Sequence, residues 1–148
     1  MDSSNYGKSY PSMIFLLCFG MMSCVSVEPI YYDDDKKVAE GHVQEFHQSL
    51  NEEKYDDMFD LFTPKGRNES SRETFARDLR NLRSAMGRVK DSKLVRAEVT
   101  PQASKRLVHM FFETEFENGK LIEEFDCLVD RDKAVFDHYG QPKAIPTK

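Results

Sequence analysis

The sequence predicts an α+β domain in which three N-terminal helices precede a four-stranded antiparallel meander. Two observations carry this prediction. The spacing of apolar residues changes at Gly87 from about 3.6 residues to 2, the change from an amphipathic helix to a half-buried strand. Beyond it, Asn118-Gly119 separates two alternating apolar runs, the strongest short signal for a hairpin.

Asp33-Asp34-Asp35 places carboxylates where a helix begins, the end at which the macrodipole favours negative charge. Ala39, Val43, Phe46 and Leu50 follow at helical spacing and define one apolar face. Asn51 is placed to cap a second helix with the face Tyr55, Met58, Phe59 and Phe62. Thr63-Pro64 ends it, because the residue before proline is pushed out of the α region. A polar loop from Lys65 to Glu69 leads to Ser70-Ser71-Arg72-Glu73, a capping box. Phe75, Leu79, Leu82 and Met86 form the third face, and Gly87 stops that helix.

Leu94 to Thr100 reads as the first strand, closed by Pro101, and Arg106 to Phe116 and Leu121 to Val129 as the hairpin. A two-residue turn at Asn118-Gly119 pairs Phe116 with Leu121, Phe112 with Phe125, Met110 with Cys127 and Val108 with Val129. All eight are apolar and share a face that a slip of one residue would scatter. A last strand, Ala134 to Tyr139, follows the Asp130–Lys133 turn, and Gln141 to Lys148 reads as an irregular tail.

With 148 residues the chain holds one domain. Hydrophobic and charged contents of 39% and 32% describe a globular rather than a disordered chain. A net charge of −5 argues against non-specific nucleic-acid binding, which needs a basic surface. Met13 to Met22 is an uncharged, mostly apolar run of about ten residues, half the roughly 20 a spanning helix needs, and so fits a signal peptide. It leads into Met21-Met22-Ser23-Cys24, which resembles the lipobox of bacterial lipoproteins, with Met21 in place of the usual leucine. That resemblance implies cleavage before Cys24 and its diacylation. Cys18 would be removed and Cys127 left as the one free thiol, so the odd count of three cysteines is explained. Val25 is not the aspartate that retains enteric lipoproteins at the inner membrane, so the resemblance points to an outer-membrane anchor facing the periplasm. The expected organisation is a signal peptide over residues 1–23, a lipidated tether over 24–32, the folded domain over 33–140 and a tail over 141–148.

The order of elements resembles the nuclear-transport-factor-2-like cone, in which a curved sheet wraps helices around a pocket. The stretch from Ser71 to Val89 is similar to the central segment of a bacterial exported domain family of unknown function, with an Arg-Glu-x-aromatic helix, Leu-x-x-x-Arg and a glycine turn. Phe112 to Phe116 and Tyr139 match that family's later strands, so the similarity runs from about Val38 to Gly140. Asp132-Lys133-Ala134 departs from its usual acidic-glycine turn. The family has no assigned catalytic residues, so the resemblance transfers none.

Cone-fold isomerases and dehydratases use a carboxylate, or an Asp/His pair, inside an apolar cavity. In the register above Glu123 is the ionisable group on the hairpin's apolar face, opposite Thr114, and a two-residue final turn brings His138 beside Phe125 on that face. Glu123 and His138 are therefore the candidate acid/base pair, against the reading of a solvated glutamate and a structural histidine. The opposite face sets Glu113 against Glu124, flanked by Glu115 and Asp126, and reads as solvated acid or a partner surface. Arg77, Arg80 and Arg83, with Arg72, Arg88 and Lys90, give the third helix a basic side for lipid headgroups or a partner. His42 and His47 are five apart and do not share a helix face as zinc ligands do, and His42 with Glu45 supplies too few ligands. No metal or cofactor is expected. The functional expectation is an exported lipoprotein, held to the membrane by its lipid, whose non-enzymatic domain binds an envelope protein or a small ligand. A pocket isomerase or dehydratase is the alternative.

Overall fold

The computed structural model describes residues 30–141, with side chains from residue 32. The expected signal peptide, the Cys24 anchor, most of the tether and the tail beyond Gln141 lie outside the described residues. Four helical segments precede the sheet: α1 (Ile30–Asn51), α2 (Tyr55–Asp60), α3 (Pro64–Arg67) and α4 (Arg72–Met86). The strands β1 (Val89–Gln102), β2 (Lys105–Phe116), β3 (Gly119–Asp130) and β4 (Lys133–Gly140) pair antiparallel in chain order. The fold is therefore α+β with a four-stranded antiparallel meander.

α1 is helical from Ile30, so the end of the expected tether belongs to it. Its apolar face is buried, with Ala39, Val43, Phe46 and Leu50 all 0% exposed, and it lies against all four strands. Asn51 does not cap α2. It closes α1, and its side-chain amide exchanges two hydrogen bonds with the Val89 backbone, at 3.0 and 2.8 Å, fastening the helix to the start of the sheet.

The expected loop after Thr63 contains α3. Proline suits the first turn of a helix as well as the end of one, and Thr63 caps the new turn by accepting from Gly66 N at 3.0 Å. The same hydroxyl donates to Asp137 Oδ1 at 2.8 Å, while Thr63 N and Phe136 N bond across to Phe136 O and Leu61 O. These bonds stitch the α2–α3 junction to β4. Gly66 permits the approach, since a Cβ there would stand 2.7 Å from the Asp137 carbonyl oxygen. At α4 the cap falls one residue later than expected, with Ser71 accepting from Thr74 N at 3.2 Å. Gly87, at φ 78°, ends the helix in a conformation glycine favours.

β1 begins earlier than expected and continues through Pro101. β1 is an edge strand, where a residue lacking an N–H breaks no ladder. The hairpin turns at Glu117-Asn118, one residue before Asn118-Gly119. Glu117 N and Asn118 N donate to Arg88 O and Met86 O, and the Asn118 side chain donates to Ala85 O, so the end of α4 sets the turn. The register is shifted by two residues as a result. Phe116 pairs with Gly119, Phe112 with Glu123, Met110 with Phe125 and Val108 with Cys127. A shift of two preserves the faces, and the expected inward residues Val108, Met110, Phe112, Phe125, Cys127 and Val129 are buried.

In β4 the two-residue turn forms, pairing Asp130 with Lys133 and Cys127 with Phe136. A bulge at Asp137 then intervenes, so that His138 pairs with Asp126 and Tyr139 with Phe125. That single extra residue reverses the inward and outward assignment of the strand's end.

Candidate functional site

Helical spacing puts His47 four residues after Val43 and beside Phe46, so α1 delivers an imidazole to the core with its apolar face. The sheet meets it with Glu123 from β3, which is 0% exposed. His47 Nε2 donates to Glu123 Oε2 at 2.7 Å, and Tyr139 Oη, turned inward by the bulge, donates to Glu123 Oε1 at 2.8 Å. Aromatic rings enclose the trio. Phe125 lies 5.9 Å from the His47 ring and 5.1 Å from that of Tyr139, and Phe46 lies 4.8 Å from Tyr139.

Burial pushes the Glu123 carboxyl up, but the hydrogen bond and charge of His47, with Thr114 and Tyr139 beside it, outweigh burial and hold it below its ordinary value of 4.5. The glutamate is therefore ionised at neutral pH. Burial, reinforced by that negative charge, raises the Tyr139 phenol well above 10.0. Both carboxylate oxygens accept hydrogen bonds from protein donors. Glu123 and His47 themselves do not line the cleft, so direct proton exchange between them and a bound molecule would require opening the aromatic core.

A cleft of about 530 Å³ lies next to this trio. Phe59 of α2, Phe62, and Phe75, Leu79 and Leu82 of α4 line its apolar wall. Glu69, Ser70, Asp78 and Gln141 supply polar groups. The ring pairs Phe59–Phe75 and Phe62–Phe75 meet edge to face at 5.6 and 5.2 Å, a favourable aromatic geometry that holds the wall in shape. Of the trio, Tyr139 lines the cleft; Glu123 and His47 do not.

The expected pairing of Glu123 with His138 does not form. The bulge turns His138 outward, where its Nδ1 lies 3.0 Å from Glu69 Oε2. The expected opposition of Glu113 and Glu124 is also absent, because of the two-residue shift. Glu113 pairs with Ile122 and lies 3.0 Å from Lys120 Nζ, whereas Glu124 pairs with Phe111 and lies 3.5 Å from His109 Nε2. His109 also contacts Asp126, so the acidic face is interleaved with basic groups.

The basic side of α4 is likewise engaged locally. Arg77 binds Asp78 at 3.1 Å, and Arg80 lies over the Tyr55 ring at 5.2 Å. Arg83 is half-buried. Arg72 binds Asp60 at 2.6 Å and covers Phe59 at 4.7 Å. Cys127 is buried, and burial pushes its thiol well above 9.0, so it is inert. His42 lies 3.1 Å from Glu45 and stacks on Phe136 at 4.4 Å. Among the described residues, no group of three or more His, Cys, Asp or Glu is arranged to hold a metal ion.

Comparison with known proteins adds no family to these observations. No family model matches the chain, and no curated protein matches its sequence.

Proposed function

We propose that this chain is an exported lipoprotein, anchored through Cys24, whose domain binds a small ligand in the cleft between α2, α4 and the end of β4 without transforming it. The observation that carries this reading is the separation of two features. The open, aromatic-walled cleft has the size of ordinary small-molecule sites, about 300–1,000 Å³, whereas the Glu123–His47 pair is sealed outside it. The isomerase or dehydratase alternative relies on Glu123 and His138 facing one cavity, and those two residues diverge. Three helices and a short helical turn followed by a meander, with α1 lying against every strand, support reading the fold as a nuclear-transport-factor-2-like cone.

The cleft reading is tested with a neutral apolar dye, N-phenyl-1-naphthylamine. It should bind the full chain in the micromolar range, and Leu82→Glu should weaken binding at least tenfold in protein whose far-ultraviolet circular dichroism at the assay temperature matches that of the parent. Equal binding by the two proteins would remove the cleft from the account.

The anchor is tested separately. Cys24→Ser should move the protein from the membrane fraction to the soluble fraction or stall its processing. Unchanged membrane association together with unchanged mature mass would refute lipidation.

A further inference from the structure

We propose that the cleft selects a cationic amphiphile, an alkyl or arylalkyl ammonium ion, over a neutral or anionic molecule with the same apolar body. This rests on the reading of the cleft as a ligand site and names the class of ligand.

The direction of hydrogen bonding in the cleft wall favours a ligand that donates. Tyr139 forms part of the cleft wall, and its hydroxyl proton is committed to Glu123 Oε1 at 2.8 Å. Glu123 is buried with both oxygens occupied, so Tyr139 has no second donor to offer and presents its oxygen as an acceptor. The protein donor now reaching that oxygen is Gln141 Nε2 at 3.4 Å, long for an N–H···O bond and carried by an exposed residue. An ammonium or amine N–H entering the cleft can take its place at a normal length.

The charge of the lining favours a cation. Of the side chains lining the cleft, the two charged ones are Glu69 and Asp78, both acidic. Arg77 and His138 approach these carboxylates, at 3.1 and 3.0 Å, from residues that do not line the cleft. An anionic ligand would therefore face two carboxylates and a phenol oxygen. A cation would face the same groups with favourable sign, against aromatic rings that also attract it. Arg72 already illustrates that attraction, its guanidinium lying 4.7 Å from the centre of the Phe59 ring.

Three probes sharing a naphthalene body isolate the charge: 1-naphthylmethylamine, 1-naphthylmethanol and 1-naphthylacetate, each titrated by calorimetry into the full chain at pH 7 and low salt. The amine should bind at least tenfold more tightly than the acid, with the alcohol between them. In the double variant Glu69→Gln/Asp78→Asn the ratio should fall below threefold. Leu82→Glu, tested with the alcohol, reports whether binding is in the cleft. Equal affinities for the three probes, lost in Leu82→Glu, would overturn the cationic class and leave the cleft standing. Tighter binding of the acid would overturn the class as well. No binding of any probe at millimolar concentration would overturn both readings.

Discussion

Replacing Glu123 with alanine is expected to destabilise the domain by about 3–5 kcal/mol, the cost of deleting a buried carboxylate and leaving its hydrogen-bond donors unpaired. The carboxylate is 0% exposed and accepts from His47 on α1 and Tyr139 on β4, so its loss leaves two buried polar groups without their acceptor. It also disconnects the long helix from the sheet at that point. Glu123→Leu combined with His47→Leu should recover much of the loss, because replacing both partners of a buried hydrogen bond by apolar groups of similar shape can be nearly neutral. Urea unfolding of the parent, the single variant and the double variant measures both effects. A loss below about 1 kcal/mol for Glu123→Ala would show that the trio contributes little to stability.

The same groups set the pH range of that stability. The folded Glu123 carboxyl lies below 4.5, so its contribution is present above that pH and is lost as pH falls through the folded value. The folded Tyr139 phenol lies above 10.0, so its contribution is present below pH 10 and is lost as pH rises through the folded value. Glu123→Gln should flatten the acid limb of a stability–pH curve, and Tyr139→Phe the alkaline limb.

Much of this fold is legible in local pattern, because helices and strands bury one face each and write their period into the chain. Ala39, Val43, Phe46 and Leu50 announce α1, and the alternation around Asn118-Gly119 announces the hairpin. What sequence pattern did not reveal depends on partners distant in the chain. The turn moves to Glu117-Asn118 because Met86 and Arg88 carbonyls, at the end of α4, capture its N–H groups. The bulge at Asp137 coincides with that residue's side chain serving Thr63 and Lys65 near α3. The inward position of Glu123 was readable from alternation, since a two-residue slip keeps the face. Its partners were not, because Tyr139 depends on the bulge. His47 did leave a signal. It lies on the apolar face four residues after Val43, a position that points to the core whatever its spacing from His42.

A comparison of two phenylalanines separates burial from membership of the core. Phe125 and Phe111 are 0% and 1% exposed, so exposure alone predicts equal losses on truncation. Their surroundings differ. Phe125 faces inward, with Phe46, Phe112, Phe136 and Tyr139 at ring distances from 5.1 to 5.8 Å and the His47 ring beside it. Rings held between a helix and a sheet cannot close around a missing side chain. Phe125→Ala should therefore carry the transfer and cavity terms together, about 3–5 kcal/mol. Phe111 lies on the outer face, paired with Arg96 and Glu124 and covered at one edge by His109 at 4.7 Å. Long polar side chains can settle into the space it leaves, so Phe111→Ala should cost nearer the transfer term alone, about 1.5–3 kcal/mol. Phe125→Ala should also weaken the Glu123 pair, since its ring shields His47 and Tyr139 from water. A cycle of Phe125→Ala with Glu123→Ala is then non-additive, and the same cycle with Phe111→Ala is additive. Equal urea midpoints for the two phenylalanine variants, or additivity in both cycles, would mean that the inner face gains nothing from enclosing the trio.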